Sequence, residues 1–103
     1  MSEIHNIVIL TPKEGKLDEV VKGFTDLAEK VKANEPGTLV YYLVQPKGAN
    51  EIIVVEKYAD ADALKKHGQT DYFKEFFQRM GGLLAKAPEI KTSSFLTGFE
   101  SKI

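Results

Sequence analysis

The segment at residues 56–73 collects most of the side chains in this sequence that could do chemistry. It contains Glu56, Tyr58, His67 and Tyr72, which are an acid, two phenols and one of only two histidines. An imidazole titrates near neutrality in water, so it can take a proton from a substrate hydroxyl. The alternative is that the histidine caps carbonyl groups at the end of a helix. The residue types predict proton transfer with His67 as the base, and leave the structural role open.

Two further polar residues are candidate hydrogen-bonding groups beside that base. The Tyr72 hydroxyl could bind an oxygen of the substrate or His67 itself, or the ring could simply pack among neighbouring phenylalanines. His5 and Asn6 alternate along the first predicted strand, so only one of them can point inward. A neutral amide can donate to a developing oxyanion, which favours Asn6. For both strand residues the alternative is a solvated sheet edge.

Glu56 and Tyr58 share one face of a predicted strand with Val54, because side chains alternate with a period of two. If that face lines a cavity, Tyr58 forms part of its wall and Glu56 is a buried acid with a raised pKa. Otherwise Tyr58 is a core residue and Glu56 pairs with a cation, for which Arg79 is a candidate. We favour the second alternative for Glu56, a structural role in which it pairs with a cation.

The sequence indicates no metal, nucleotide or nucleic-acid site. The two histidines lack paired ligand spacing and there is no cysteine. Gly81 and Gly82 lie within a helical pattern rather than in a phosphate-binding loop after a strand. The 14 basic and 15 acidic residues are interspersed, so no basic stripe is available for a phosphate backbone. We therefore expect no cofactor and no bound metal.

Four segments rich in β-branched or alternating residues predict the strands that position these groups: 4–10, 39–44, 52–58 and 89–99. Tyr41 and Tyr42 are neighbours in the second strand and must point to opposite faces. We assign Tyr41 to the cavity.

Three segments with apolar residues at helical spacing predict helices between the strands. The first begins near Lys16 and stops at 34–37. The second spans 61–67, is capped by Asp60 and is closed by Gly68. The third begins after Thr70 and continues towards residue 84, with a bend at the paired glycines.

The order of elements, β-α-β-β-α-β, predicts an α+β, ferredoxin-like domain over residues 1–103, with a four-stranded antiparallel sheet and the helices on one face. The strands at 4–10 and 52–58 are apolar at successive positions, so the second face of the sheet is also apolar. An apolar face of this kind is unfavourable in water, and a chain of this size gains stability when another subunit buries the face. We expect a homodimer.

These motifs resemble the antibiotic biosynthesis monooxygenase family of dimeric α/β barrels. In the family pattern an apolar strand ends in Glu-x-Tyr or Glu-x-Trp, an acidic turn and an aliphatic residue follow, and then comes His-x-x-Thr-x-His-Phe. Glu35-Pro36-Gly37 matches the Glu-Pro-Gly of the family. The residues that carry the resemblance in the long motif are Glu56, Tyr58, Asp60, Leu64, His67, Thr70, Tyr72 and Phe73.

Departures from the family pattern narrow the expected chemistry. Phe77 stands where heme-degrading members have the iron-ligating histidine, which disfavours that activity. In the aromatic-polyketide oxygenases of the family, an Asn and a Trp stand at the positions of Val54 and Tyr58. Tyr58 keeps an aromatic ring there, but Val54 has no amide. Tyr72 replaces the second histidine of the quinol-oxygenase members.

The resemblance implies a cofactor-independent monooxygenase acting on a small electron-rich aromatic, such as a quinol or polyphenol, with dioxygen as co-substrate. Two alternatives stay open: a non-catalytic or stress-related dimer that binds hydrophobic ligands, and a polyketide cyclase-like enzyme. The expected catalytic residues are His67, Tyr72 and Asn6. The expected substrate-binding residues are Tyr41, Val54, Glu56, Tyr58, Leu64 and Phe77.

The sequence gives limited information on location. The absence of cysteine fits a reducing compartment such as the cytoplasm. No apolar run is long enough for a membrane span, and no signal-peptide pattern follows the first strand. The final Ser101-Lys102-Ile103 differs by one change from a peroxisomal address, or is simply a frayed end.

Overall fold

A computed structural model describes residues 2–102 of the chain. Ile103, the last residue of the possible peroxisomal address, lies outside the described residues. The elements in chain order are β1 (Ile4–Leu10), α1 (Leu17–Asn34), β2 (Thr38–Val44), β3 (Ile52–Tyr58), α2 (Ala61–Gln69), α3 (Asp71–Gly81) and β4 (Glu89–Ser93).

The four strands form one antiparallel sheet in the order β2-β3-β1-β4. Alternate residues of β1 and β3 are buried, and they pack with apolar residues of α1 and α3 into a single core. The predicted α+β, ferredoxin-like fold is confirmed, with the second crossover built from two consecutive helices. The paired strands bring polar side chains of distant segments side by side on the helix-covered face.

The boundary between α2 and α3 differs from the prediction. Gly68 does not close α2, which continues through it to Gln69. Thr70 marks the break instead: its Oγ1 donates to the carbonyl of His67 at 2.8 Å and accepts from the backbone N–H of Phe73 at 3.3 Å. One threonine therefore ends α2, starts α3 and fixes the backbone at His67.

Two predicted elements are shorter in the structure. The third helix ends at Gly81 instead of bending, and Leu84 then bridges to Pro12. The last strand ends at Ser93 rather than Phe99. Ser93 pairs with His5 near the beginning of β1, so almost no strand remains for later residues to pair with.

The face of the sheet away from the helices is apolar across three strands. The cross-strand register aligns Tyr42 with Val55 and Val44 with Ile53, and Tyr42 and Val44 are about half exposed. Ile7 continues the first of these rows on β1. Within residues 2–102, no helix is both long and apolar enough to cross a membrane.

Candidate functional site

An inner cavity of about 300 Å³ lies between the helix-covered face of the sheet and the helices. Most of its lining is aliphatic or aromatic, and a few polar groups interrupt it. Its lining residues are Asn6, Val8, Leu10, Phe24, Tyr41, Val54, Glu56, Leu64, His67, Gly68, Phe73, Phe76, Phe77, Met80, Pro88, Ile90 and Thr92. A largely apolar hollow with a few convergent polar groups is typical of a small-molecule site.

Four of the polar residues form a polar row, one from each strand. The sheet register aligns Tyr41 with Glu56, Glu56 with Asn6, and Asn6 with Thr92. Thr92 Oγ1 donates to Asn6 Oδ1 at 2.7 Å, and Asn6 Nδ2 donates to Glu56 Oε1 at 3.4 Å. The polar row crosses an otherwise apolar face, so it concentrates hydrogen bonding at one level of the cavity.

Glu56 is buried and held by neutral donors. Its Oε1 accepts from the Tyr58 hydroxyl at 2.5 Å as well as from Asn6. Burial raises the pKa of Glu56 above its ordinary value, and the hydrogen bonds and the nearby imidazole oppose that rise only in part. The pairing with Arg79 that we considered is wrong, because that guanidinium lies 3.8 Å from Asp26 on the surface. Glu56 is the buried acid of the cavity.

His67 lies at the wall of the cavity and both ring nitrogens have partners. Its side chain is 3% exposed. Nδ1 is 2.9 Å from Glu35 Oε1, and Nε2 is 3.3 Å from the Tyr41 hydroxyl. A carboxylate can only accept a hydrogen bond, so Nδ1 carries the proton and Nε2 offers its lone pair to Tyr41. This is the tautomer that a general base facing the cavity requires.

A close approach of two backbone segments brings Glu35 to His67. The loop after α1 passes so near α2 that a Cβ added at Gly37 would lie 2.7 Å from the Cβ of Ala63. The carbonyl of Gly37 also accepts from the backbone N–H of Ala59 at 2.9 Å. Only glycine fits this approach, which explains why glycine follows Pro36 after the glutamate.

Tyr41 connects the imidazole to the cavity. Its ring stacks on Phe24 with centroids 4.9 Å apart and meets the His67 ring edge-on at 5.2 Å. Burial raises the pKa of Tyr41 strongly, and the charges of Glu56 and Glu35 raise it further. The phenol therefore stays neutral, so it can pass a proton along a hydrogen bond but does not act as a base.

Tyr58 and Tyr72 do not line the inner cavity. Tyr58 is fully buried beneath Glu56. The Tyr72 hydroxyl donates to Glu35 Oε2 at 2.5 Å, so it reaches His67 only through that carboxylate. Burial and the bond to Glu35 raise the pKa of Tyr72 to about 12. Tyr58 supports the cavity from below, and Tyr72 supports Glu35 from outside.

Of the two neighbours on β1, Asn6 faces the cavity and His5 faces the other side of the sheet. There Glu3, His5 and Glu100 bring potential ligand atoms within 4.8 Å of one another. The ammonium group of Lys57 lies 3.3 Å from Glu3 and 2.8 Å from Glu100, so it already neutralises both carboxylates.

The structure brings together most of the residues predicted for the site. Asn6, Tyr41, Glu56 and His67 meet at the polar level of the cavity, while the apolar lining includes Val54, Leu64 and Phe77. Sequence reasoning missed Glu35 and Thr92 as site residues. The Glu-Pro-Gly motif was a usable signal for Glu35, because a turn motif that begins with an acid can hold that acid in a fixed position.

Comparisons with known proteins agree on one family. The family model described as antibiotic biosynthesis monooxygenase matches residues 4–79. A solved structure from Caulobacter crescentus, provisionally assigned to the same class, is 44% identical, covers 93% of this chain and 92% of its own, and gives a TM-score of 0.88.

Two more distant structures share the fold. One from Bacteroides thetaiotaomicron, provisionally assigned to that class as well, is 25% identical with a TM-score of 0.86, and covers 98% of this chain and 97% of its own. A conserved protein from Methanosarcina mazei is 26% identical with a TM-score of 0.84, and covers 90% of this chain and 92% of its own. No curated protein matches the chain.

Proposed function

Because the chain belongs to the antibiotic biosynthesis monooxygenase family, we propose that it is a cofactor-independent monooxygenase acting on a small quinol or polyphenol. Membership of the family supports a monooxygenase-type role. The inner cavity supports the substrate class, since its volume of about 300 Å³ suits a small aromatic and its lining is mainly apolar. A dry cavity also protects reactive oxygen intermediates from water.

One observation carries the proposal: Nε2 of His67 accepts a hydrogen bond from the hydroxyl of Tyr41, which lines the cavity, while Nδ1 is fixed by Glu35. The phenolic proton of the substrate passes to Nε2, directly or through the Tyr41 hydroxyl. The resulting phenolate is a far better electron donor than the phenol. It gives an electron to dioxygen, and no cofactor is needed to supply reducing power.

With hydroquinone as the substrate, one hydroquinone and one dioxygen give one hydroxyquinone and one water. A ring C–H bond is broken and a C–O bond forms at that carbon, and the second oxygen atom leaves as water. All four electrons that reduce dioxygen come from the substrate. The protein supplies a base, hydrogen bonds to the anionic oxygen and a water-poor cavity.

In this proposal the polar row orients the anion. Asn6 Nδ2 has a second N–H beyond its bond to Glu56, and it can donate that hydrogen to the phenolate oxygen. The raised pKa of Glu56 favours its neutral form, which avoids repulsion between a carboxylate and the phenolate. Tyr72 acts at a distance by holding Glu35.

Oxygen consumption with a panel of hydroquinones tests the proposal. We expect uptake in the unmodified protein and a fall of about 100-fold or more in kcat/KM for His67→Gln, the usual scale for losing a general base. An exposed control in the turn between β2 and β3, Lys47→Gln, should keep the original rate. Absence of uptake with every hydroquinone would overturn the oxygenase proposal.

A second candidate function, ligand binding without catalysis, is favoured by one feature. The groups of the polar row already satisfy one another, since Asn6 is bonded to both Glu56 and Thr92. Such a cavity could bind an apolar ligand by contact area alone. This candidate predicts tight binding of aromatics without oxygen uptake, and the same affinity in His67→Gln.

We also propose that the protein is a homodimer joined through the outer face of the sheet. Two apolar rows cross that face, and Tyr42 and Val44 on them are about half exposed. A second sheet packed there would remove these side chains from water. Sedimentation should give twice the monomer mass at micromolar concentration, and Tyr42→Lys should shift it towards monomer. A folded monomer in the unmodified protein would refute this.

A further inference from the structure

Glu35 and His67 separate two hollows that share no lining residue. The inner cavity lies on the histidine side. On the glutamate side lies an outer cleft of about 620 Å³, lined by Asn34, Glu35, Pro36, Gly37, Thr38, Ala59, Asp60, Asp62, Ala63, Lys66, Thr70 and Tyr72. Charged and hydroxyl side chains are frequent in this lining, in contrast to the inner cavity. The imidazole of His67, on the inner cavity, contacts the carboxylate of Glu35, on the outer cleft, with 2.9 Å between Nδ1 and Oε1.

We propose that Glu35 and His67 form a proton relay, which carries the proton of a phenolic ligand from the inner cavity to water in the outer cleft. The inference rests on the site described under the proposed function, but it does not require dioxygen. The ligand proton moves to Nε2 of His67, and the Nδ1 proton moves to Oε1 of Glu35. The carboxyl group then releases a proton to water. After the ligand leaves, Nε2 loses its proton to water entering the inner cavity and Nδ1 is reprotonated through Glu35, which restores the starting tautomer.

The partners of Glu35 support a relay rather than a passive ion pair. Its Oε1 accepts from His67 and from Thr38 Oγ1, and its Oε2 accepts from the Tyr72 hydroxyl. These bonds fix both carboxylate oxygens, with Oε1 held against the imidazole from which it would receive a proton. The side chain is 8% exposed, so it is positioned by the fold and still borders the cleft.

Glu56 is the other acid that could take the proton, and its contacts argue against it. It bonds to Tyr58 and Asn6 but not to His67. It lines the inner cavity and not the outer cleft. A proton delivered there would stay inside. Of these two acids, Glu35 is the one that contacts the imidazole and lines the outer cleft.

4-Nitrophenol reports the first step without dioxygen, because its phenolate absorbs visible light and it ionises near neutral pH. The pH at which the bound phenol is half ionised is the quantity to measure. The ionisable groups that face His67 from the elements packed around it are Glu35, Tyr41, Glu56, Tyr58 and Tyr72. The phenols among them stay neutral near pH 7, so Glu35 and Glu56 are the acids to compare.

We expect Glu35→Gln to bind 4-nitrophenol and to raise the half-ionisation pH by about one unit, a tenfold loss of phenolate near neutrality, because the amide cannot take up the Nδ1 proton. When it is bound to His67→Gln, 4-nitrophenol should be no more ionised than free 4-nitrophenol at the same pH. Asp62→Asn makes the same acid-to-amide change on an exposed residue of the same cleft, and should behave like the unmodified protein. Equal half-ionisation pH in Glu35→Gln and the unmodified protein would overturn the relay.

The ¹⁵N signals of the histidine rings provide a test that needs no variant at Glu35 and no ligand. His67 should carry its proton on Nδ1 when neutral, and His5→Gln identifies which signals belong to the other ring. A proton on Nε2 instead would overturn the relay, even if 4-nitrophenol does not bind or Glu35→Gln does not fold. Ionisation of the phenol without oxygen uptake would keep the relay and remove the oxygenase proposal.

Discussion

Glu35 and Glu56 are two buried acids on opposite sides of the same imidazole, and their surroundings differ. Glu56 lies within the cavity and accepts hydrogen bonds from neutral donors only. Glu35 lies in the wall, bonds to the histidine ring and borders a polar cleft. Burial therefore raises the pKa of Glu56, whereas Glu35 is in direct contact with an imidazole that can give it a proton. Hydrogen-bond partners and access to water, rather than burial alone, decide which of the two acids can exchange a proton.

The largest effect is expected from disturbing the position of Glu35. Gly37→Ala places a Cβ 2.7 Å from that of Ala63, so we expect a loss of about 1–3 kcal/mol in the free energy of unfolding. The displaced loop should also raise the half-ionisation pH of bound 4-nitrophenol, as in Glu35→Gln. Urea unfolding and visible absorbance measure the two effects.

A second substitution separates these effects. Ala63→Gly removes the opposing methyl group, so the double variant should regain the ionisation behaviour of the unmodified protein. It should regain only part of the stability, because glycine within α2 costs about 1 kcal/mol. Failure of Ala63→Gly to restore ionisation would show that the loop does not position Glu35 in the way described.

A smaller effect is expected at Glu56, and it depends on pH. The folded protein holds the Glu56 proton more tightly than the unfolded chain does, so stability falls as pH rises from the ordinary value of 4.5 towards the higher folded pKa. Glu56→Gln cannot lose a proton, so this part of the fall should be absent. Unfolding in urea at several pH values between 4 and 8 measures the difference between the two proteins.

The matched substitution Glu35→Gln leaves Glu56 unchanged, so the fall in stability with rising pH that Glu56 causes should remain. An identical change in pH dependence for the two variants would mean that the two acids do not differ as described.

The smallest effect is expected at the outer end of the polar row. Thr92→Val keeps the side-chain shape but removes the 2.7 Å bond to Asn6. Thr92 is exposed on an edge strand, so the cost should be about 0.5 kcal/mol, at the low end for a hydrogen bond. Thermal unfolding measures it, with the exposed Ser94→Ala as a control. A loss several times larger would show that the row acts as one cooperative network.

Much of the cavity could be predicted because strands have a strict side-chain period. The alternation on β3 put Glu56 and Tyr58 on one face, and the alternation on β1 allowed only one of His5 and Asn6 to point inward. The ability of an amide to donate to an oxyanion then favoured Asn6. His67 stood out by residue type. These inferences use only near neighbours in the chain, which is why the sequence contains them.

The remaining features depend on contacts between distant segments. Glu35 is 32 residues from His67, and they meet because a glycine lets one loop approach α2. Tyr72 is five residues from His67, yet the chain restarts a helix at Thr70 and directs the phenol to Glu35 instead of the cavity. The end of β4 was overestimated because its length is set by how far β1 extends to pair with it.

The alignment of Tyr41, Glu56, Asn6 and Thr92 has a consequence for how function and folding are linked. Each of the four comes from a different strand, so no fragment with fewer than four strands contains the complete set. A partly unfolded molecule that has lost either edge strand keeps most of its core, but its polar row is incomplete. Ligand affinity should therefore report the integrity of the whole sheet, and fraying at an edge should abolish recognition before the core melts.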